Sequence, residues 1–264
     1  MRALAIIPAR YQSTRFPGKP LALLGGKPML RHVYDNVIDS GLFDKVVIAS
    51  DDERILEAAR EWDAESIFTA DYHQSGTDRC AEAAKKIAGD FDVIVNVQGD
   101  EPFISKKPLE KLLQIFDNEP NAGIATLVQK IDNPDDIWDP NTAKVVLGWG
   151  HIHHLSLNND QLRVALFFSR SPIPFIRSID KKDWIDYHVF WKHIGLYAFK
   201  PEILDEIVKL PVGLLEKAES LEQLRWLENG YKIYVDETDY KMISVDTPED
   251  LEKAENFLKK NVGI

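Results

Sequence analysis

The sequence predicts an α/β protein whose first half forms a mostly parallel sheet and whose second half is of α+β character. Apolar runs at residues 3–8, 45–50 and near 92–102 are typical of buried parallel strands. A segment of helical pattern follows each run. Strands that alternate with helices favour a parallel sheet, because parallel neighbours need a crossover connection.

Three helices are predicted in the first half. The first, "PMLRHVYDNVIDSG", begins at Pro28 and stops at Gly41, with apolar residues near helical spacing at Met29, Leu30, Val33, Val37 and Ile38. The others are "DDERILEAAREW", with an acidic first turn that suits a helix N-terminus, and "KPLEKLLQIFDN". Loops at the carboxyl ends of the strands are where open α/β sheets bind ligands.

From about residue 122 the pattern changes to strands with few helices between them. The predicted strands are "GIATLVQKI", "AKVVLG", "RVALFFS" and "HIGLYAFK", followed by a helical pair at about 201–208 and 216–228 and by short strands near 231–235 and 241–245. The final helix has Thr247 as N-cap and Pro248 at its first position. Because no interdomain linker is apparent, we predict a single domain over 1–264 with an excursion near 171–195.

Composition excludes several classes of protein. Among 264 residues the net charge is -11, which argues against general nucleic-acid binding because backbone phosphates would be repelled. Cys80 is the one cysteine, so an intramolecular disulfide is excluded and a reducing cytoplasm is expected. No apolar run reaches the roughly 18 residues that a membrane span needs, and we expect a soluble protein without membrane or nucleic-acid partners.

A cationic loop follows the first strand in "PARYQSTRFPGKP". Arg10, Arg15 and Lys19 stand there with the hydroxyls of Ser13 and Thr14. Such a cluster in an acidic protein could hold a triphosphate and neutralise charge that develops on leaving pyrophosphate. A solvated basic loop is the alternative, since neither a P-loop nor a G-x-G-x-x-G pattern is present.

Two acidic positions are candidate magnesium ligands. Asp100 follows an apolar strand in "VQGDEP", and magnesium needs only one or two carboxylates beside substrate phosphate oxygens. Asp246 precedes the last helix, where Glu249 and Asp250 already complement the helix dipole. We therefore expect Asp246 to face the cleft as a second ligand. The alternatives are an ordinary acidic turn for Asp100 and a helix-dipole role for Asp246.

Together these segments resemble the successive motifs of one enzyme family. "IIPARYQSTRFPGKPL", "HQSGTDR", "VIVNVQGDEP", "HIGLYAF", "LEQLR" and "VDTPEDL" are similar to the motifs of CMP-KDO synthetases (3-deoxy-manno-octulosonate cytidylyltransferases), in the same order. The resemblance implies a nucleotide-diphospho-sugar transferase-like fold with a Rossmann-like sheet, and a cytoplasmic homodimer. It also implies that CTP and KDO give CMP-KDO and pyrophosphate, for lipopolysaccharide biosynthesis.

The same resemblance implies roles for individual residues. Asp100 and Asp246 would bind Mg²⁺ that activates the sugar hydroxyl, while Arg10 and Lys19 would hold the triphosphate; these four form the expected catalytic set. The expected nucleotide-binding residues are Arg10, Ser13, Thr14, Arg15, Lys19, Ser75, Arg79 and Gln98. The expected sugar-binding residues are Arg170, His193, Tyr197, Glu222 and Gln223.

Other functions remain open from sequence. A related CMP-sugar synthetase for another 2-keto acid would differ only in its sugar. A non-catalytic nucleotide-binding regulator should have lost a metal ligand or the cationic loop, and this chain has both. A dehydrogenase is disfavoured because the glycine fingerprint is absent.

Overall fold

The chain forms two compact units in the computed structural model, which describes residues 1–13, 15–149 and 163–262. The first unit comprises Met1–Leu109 and Lys241–Ile264, and the second comprises Glu110–Tyr240. The single domain over 1–264 stays a prediction. None of the helices in the described ranges has the length and apolar character needed to cross a membrane.

The first unit contains a parallel sheet, as predicted. Its strands are β1 (Ala3–Ala9), β2 (Leu23–Leu24), β3 (Lys27–Pro28), β4 (Lys45–Ser50), β5 (Ser66–Phe68) and β6 (Val93–Asn96). Within this unit the parallel strands lie in the order β5, β4, β1, β6, while β2 and β3 form a separate antiparallel pair. The apolar run of β1 is buried along almost its whole length, which confirms its prediction as a buried parallel strand.

The helices of this unit cover the sheet. They are α1 (Met29–Asp39), α2 (Glu53–Glu61), α3 (Gly76–Lys86) and α10 (Pro248–Val262), while α4 (Lys106–Asn118) begins in the first unit and ends in the second. Strand β5 and helix α3 were not predicted from the sequence. Ile38 was counted among the apolar residues at helical spacing in α1, but it is 46% exposed. Val37 occupies the buried face, and its neighbour points about 100° away.

The second unit contains a mixed sheet, in agreement with its predicted α+β character. Its strands are β7 (Ile124–Lys130), β8 (Lys144–Trp149), β9 (Arg163–Ser169), β10 (Trp191–Phe199) and β11 (Ile233–Glu237). They lie in the order β10, β7, β11, β9, β8, and β8 also pairs with the start of β10. Each of these five strands therefore has two strand neighbours within the second unit.

Two predicted elements of the second half were wrong. The helix expected over 216–228 is divided into α8 (Leu214–Glu219) and α9 (Gln223–Glu228), because Ser220 between them adopts a left-handed conformation with φ 51°. The strand expected near 241–245 is irregular, although Val245 still donates a backbone hydrogen bond to Asp100 O at 3.0 Å. The remaining helices are α5 (Pro134–Trp138), α6 (Trp184–Tyr187) and α7 (Pro201–Ile207).

The excursion predicted near 171–195 is mainly irregular chain between β9 and β10. It contains α6, and β10 already begins at Trp191. Its side chains Ile176, Trp184 and Phe190 pack in one cluster with Ile131 and Ile137, which lie outside the segment. The segment is therefore anchored to the chain after β7 by a small apolar cluster in the second unit.

Candidate active site

A cavity of about 260 Å³ opens in the first unit, where β1 and β6 end and α3 begins. Most of the residues predicted from sequence line it together, namely Arg10, Ser13, Arg15, Lys19, Ser75, Arg79, Gln98, Asp100 and Asp246. Thr14, the remaining predicted nucleotide ligand, lies outside the described residues. The carboxyl edge of a parallel sheet is the expected position for a ligand site in such a fold. The role of each residue stays a prediction.

The cationic loop contains a glycine, Gly18, whose backbone conformation would be strained in a residue with a side chain. Gly18 has φ 72°, and its N–H donates to Tyr11 O at 2.9 Å. A Cβ at this position would meet the hydroxyl oxygen of Tyr11 at 3.0 Å. A 3-10 turn at Lys19–Leu21 follows directly. The "PGKP" segment therefore forms a tight turn that holds Lys19 at the start of a short helical turn.

Lys19 lies between the two acids that the sequence singles out. Its Nζ donates to Asp100 Oδ2 at 2.7 Å and to Asp246 Oδ1 at 3.0 Å. Arg15 adds a longer contact to Asp246 at 3.3 Å. Because the Lys19 side chain is only 14% exposed, water screens these ion pairs less than those on an open surface. The structure thus brings both predicted metal ligands to one cation.

Asp246 reaches this position because other groups cap the last helix. Thr247 Oγ1 accepts a hydrogen bond from the Asp250 N–H at 3.2 Å, which confirms Thr247 as the N-cap. Asp250 Oδ2 in turn accepts from the N–H groups of Thr247 at 3.2 Å and Asp246 at 3.3 Å. Since Asp250 serves the helix end, the Asp246 carboxylate is left to pair with Lys19 and Arg15.

The two carboxylates also form a plausible donor set for a divalent metal. Nowhere in the described ranges do three or more His, Cys, Asp or Glu side chains group as a metal site. Magnesium, however, commonly takes one or two carboxylates and completes its shell with water and phosphate oxygens. Asp100 and Asp246, both within hydrogen-bond distance of one ammonium group, fit that requirement.

The N-terminus of α3 forms another wall of the cavity. Ser75 Oγ accepts from the Asp78 N–H at 3.1 Å, and Asp78 Oδ2 accepts from the Ser75 N–H at 3.2 Å. This reciprocal pair is a capping box, and the spacing Ser-x-x-Asp in "SGTD" was the signal that could have predicted α3. Gly76 allows close approach to β1, since a Cβ there would lie 3.3 Å from Pro8 Cγ.

Arg79 lines the cavity but is itself tied to neighbouring loops. The residue is 4% exposed, and its guanidinium donates to Thr69 Oγ1 at 2.5 Å and contacts Asp51 at 3.1 Å. These contacts link α3 to the segments after β5 and β4. The predicted role of Arg79 in nucleotide binding stays a prediction, as does that of Gln98, whose amide lies 3.5 Å from Asn96 Oδ1.

His73 lines the same cavity and was not among the predicted site residues. Its Nε2 is hydrogen-bonded to Glu82 Oε2, which also accepts from the Ala70 N–H at 2.9 Å. Partial burial raises the pKa of Glu82, but the hydrogen bonds from Lys86, Ala70 and His73 outweigh it and lower the pKa to about 2. A charged Glu82 therefore anchors the loop that carries His73.

The second unit brings together most of the predicted sugar-binding residues. On β10 the ring centroids of His193 and Tyr197 are 5.1 Å apart. Burial raises the pKa of Tyr197, and the charge of nearby Glu222 adds to the effect. The Tyr197 hydroxyl and Gln223 Nε2 are buried without a hydrogen-bond partner in the described structure. Such groups are costly unless a ligand or water satisfies them.

Arg170 is held by main-chain oxygens in the same unit. Its guanidinium donates to Glu219 O at 2.6 Å, to Pro140 O at 2.9 Å and to Ser220 O at 3.3 Å. Lys144, a fully buried lysine, donates to Arg170 O at 2.6 Å. These bonds fix the turn between α8 and α9. The predicted role of Arg170 in sugar binding stays a prediction.

The carboxyl edge of this parallel sheet carries a cationic loop and two acids that pair with one lysine. This site on an α/β sheet is that of a nucleotidyltransferase class of enzyme. A family model described as Cytidylyltransferase matches residues 4–233. The chain belongs to this cytidylyltransferase family.

Individual relatives agree with this family over the full length. The chain is 51% identical to a 3-deoxy-manno-octulosonate cytidylyltransferase of Bacteroides thetaiotaomicron, with 98% of this chain and 99% of the relative covered. A CMP:2-keto-3-deoxy-manno-octonic acid synthetase solved in complex with CTP is similar with a TM-score of 0.86 and 37% identity, covering 98% of this chain and 99% of that one. The 4-diphosphocytidyl-2C-methyl-D-erythritol synthase of Anaerococcus prevotii shares the fold alone, with a TM-score of 0.60, 15% identity and coverage of 98% of both chains.

Proposed function

We propose that this enzyme transfers the CMP group of CTP to 3-deoxy-manno-octulosonate, giving CMP-KDO and pyrophosphate. The observation that carries the proposal is the position of Lys19 between Asp100 and Asp246, at the edge of a cavity lined by further cations. The similarity over nearly the full length to a relative of that name supports the choice of substrates.

The cationic loop would bind the triphosphate of CTP. Arg10, Arg15 and Lys19 line one cavity, where they can neutralise phosphate charge. In the reaction the anomeric hydroxyl oxygen bonds to the α-phosphorus and loses its proton, and the bond from the α-phosphorus to the bridging oxygen breaks. Pyrophosphate leaves with both bonding electrons. Cations around the α- and β-phosphates therefore stabilise charge that grows in the transition state.

Asp100 and Asp246 would hold Mg²⁺, which when bound lowers the pKa of the sugar hydroxyl and offsets phosphate charge. The carboxylates that would hold this ion now pair with the Lys19 ammonium. Lys19 would bind a phosphate oxygen of the triphosphate through the same kind of charged hydrogen bond that it makes to Asp100 at 2.7 Å. Positioning both substrates supplies the rest of the acceleration.

Sugar recognition would involve His193, Tyr197, Glu222 and Gln223. Two of these carry buried polar atoms without partners, the Tyr197 hydroxyl and Gln223 Nε2. A polyhydroxylated acid offers both donors and acceptors, so it can satisfy these atoms. Specificity built in this way rejects analogues that lack the matching hydroxyl, because protein groups are then left unpaired.

The enzyme would act as a homodimer in the cytoplasm and supply an activated sugar for lipopolysaccharide biosynthesis. Phe175 is 73% exposed and Tyr187 is 68% exposed, and both flank the buried Trp184 in the excursion after β9. Exposed aromatic groups of this kind are enriched at protein interfaces. Light scattering of the purified protein tests the dimer, and a monomer at micromolar concentration would contradict it.

Pyrophosphate release with CTP, magnesium and KDO tests the central proposal. The same assay with ATP, UTP and GTP, and with sialic acid in place of KDO, measures the selectivity. We expect turnover with CTP and KDO to exceed every other pair. Turnover with sialic acid and not KDO would support the related CMP-sugar synthetase, and absence of turnover with every pair would support a nucleotide-binding regulator.

A further inference from the structure

Thr126, a residue that the sequence analysis did not single out, contacts His193 from the neighbouring strand. It lies on β7, is fully buried, and its Oγ1 is 2.9 Å from His193 Nε2. The same oxygen lies 2.8 Å from Leu196 O and 3.2 Å from Ile194 O. The pairing of β10 with β7 shifts its register between Ile194 and Tyr197. The Thr126 hydroxyl therefore sits where the strand pairing is interrupted.

The positions of the hydrogens on Thr126 Oγ1 and His193 Nε2 follow from the number of donors and acceptors around them. A threonine hydroxyl has one hydrogen to donate and two lone pairs that can accept. The two carbonyl oxygens can only accept, so the hydroxyl hydrogen points to them, most closely to Leu196 O. Toward the imidazole the hydroxyl can then only accept. His193 Nε2 must therefore carry a hydrogen and donate it to Thr126 Oγ1.

The other ring nitrogen is left as an acceptor. Burial lowers the pKa of His193 to about 3, so the imidazole is neutral at pH 7. A neutral imidazole with its hydrogen on Nε2 has a free lone pair on Nδ1. Thr126 is the one hydrogen-bond partner of the His193 ring among the residues that the structure describes. Nδ1 is thus available to a ligand.

Two buried groups of the same unit have hydrogens that they can donate. The Tyr197 ring centroid is 5.1 Å from that of His193, and the hydroxyl of Tyr197 is buried without a partner among the described residues. Gln223 Nε2, on α9, is likewise buried without a hydrogen-bond partner among the described residues. Both groups have hydrogens to donate, whereas Nδ1 can only accept. A ligand carrying hydroxyl groups can meet both requirements.

We propose that Thr126 is a positioning residue that fixes the tautomer of His193, so that Nδ1 accepts a hydrogen from a hydroxyl group of the sugar substrate. This inference rests on the proposed function for its ligand but not for its tautomer. An acceptor at this point selects a hydroxyl. A carboxylate or keto oxygen in the same place has no hydrogen to offer, and its lone pairs would face that of Nδ1.

Nitrogen NMR of the substrate-free protein tests the tautomer directly. In wild type at pH 7, ¹⁵N–¹H correlations of ¹⁵N-histidine-labelled protein should assign the hydrogen of His193 to Nε2. Thr126→Ser keeps the hydroxyl and should keep this tautomer. Thr126→Val has the same shape without the hydroxyl, and it should let a substantial share of the ring hydrogen move to Nδ1. A His193→Gln variant assigns the resonances.

Kinetics tests the contact with the sugar. Thr126→Val should raise KM for KDO about tenfold or more while KM for CTP stays within about twofold, as expected when a hydrogen bond to a substrate hydroxyl is lost. Thr126→Ser should restore both values. Saturating the wild type with KDO should shift the Nδ1 resonance of His193.

Several outcomes would overturn the inference. A wild-type spectrum with the hydrogen of His193 on Nδ1 would contradict the proposed tautomer. This measurement uses the wild type alone, so it does not depend on the folding of any variant. An unchanged Nδ1 resonance with saturating KDO removes the sugar contact. Equal losses for CTP and KDO in Thr126→Val, with an unchanged tautomer, would leave Thr126 a support for the strand only. If wild type has the Nε2 hydrogen but neither binds nor turns over KDO, the proposed function fails while the tautomer assignment stands.

Discussion

Lys19 donates to Asp100 at 2.7 Å although 81 residues separate the two in sequence. The same ammonium bonds to Asp246, so one cation lies between two anions that would otherwise repel. In the protein without a ligand, the Lys19 ammonium therefore offsets part of the negative charge of Asp100 and Asp246. Lys19 therefore links the loop after β1 to two segments that lie far from it in sequence.

Replacing Lys19 with alanine should lower kcat about 100-fold or more and raise KM for CTP much less. A charge that acts mainly on the transition state gives this pattern. Initial rates of pyrophosphate release over a range of CTP concentrations measure both constants. Lys27→Ala is a matched control, because Lys27 pairs with Asp35 and does not line the cavity. An unchanged kcat with a raised KM would make Lys19 a ground-state ligand.

Replacing Asp100 or Asp246 with asparagine should abolish turnover while the protein stays folded. Loss of a carboxylate weakens metal binding and the activation of the sugar hydroxyl. Rates under saturating magnesium, together with circular dichroism, measure the two properties. Glu249→Gln removes an exposed acid three residues from Asp246 and should leave the rate unchanged. A rate near that of wild type in either asparagine variant would exclude its residue from the metal site.

Replacing Gln223 with alanine should raise KM for KDO about tenfold and leave KM for CTP nearly unchanged. Gln223 Nε2 is buried without a partner in the described structure, and an unmatched sugar group in the variant would carry a desolvation cost of about 1–3 kcal/mol. Kinetics in which each substrate is varied in turn decides the result. Gln114→Ala, at an exposed position on α4, is the control. Equal losses for both substrates would indicate a general role in supporting α9.

Replacing Glu82 with glutamine should reduce stability at neutral pH but not in strong acid. Its pKa is lowered from 4.5 to about 2, so the folded state favours the charged carboxylate. This stabilisation is present above about pH 4.5 and is lost as the pH falls through about 2. At pH 7 we expect Tm to fall by about 2–4 °C. Thermal melts of both proteins from pH 7 to pH 2.5 measure the difference.

A control and a contrary result complete the test of Glu82. Glu57→Gln, at an exposed position on α2, should leave Tm unchanged at every pH. A gap between Glu82→Gln and wild type that stays constant down to pH 2.5 would mean that the carboxylate charge does not stabilise the loop.

Local sequence was sufficient for the parallel strands β1, β4 and β6, whose apolar runs are buried, but not for the short strand β5. Gln98 and Asp100 follow β6 within a few residues, so the end of this strand places them at the sheet edge. Helix α3 was missed because its apolar pattern is weak, although Ser75 and Asp78 carry a capping signal. The Ser-x-x-Asp spacing at Ser75 and Asp78 therefore predicts the start of α3.

Other features depend on contacts that no local pattern reveals. Thr126 acquires its contact with His193 from strand register and an irregularity between Ile194 and Tyr197. The interruption between α8 and α9 occurs because Ser220 adopts a left-handed conformation, which local propensity does not predict for a residue other than glycine. Both are consequences of tertiary structure.

The pairing of Lys19 with Asp246 spans 227 residues of the chain. A ribosome makes these residues in order, and domains form from the N-terminal end as synthesis proceeds. The cationic loop is therefore translated long before the second carboxylate exists. A nascent chain that has not yet reached Asp246 has the loop and Asp100 but only one of the two carboxylates, so the contacts around Lys19 are complete only after Asp246 has been translated.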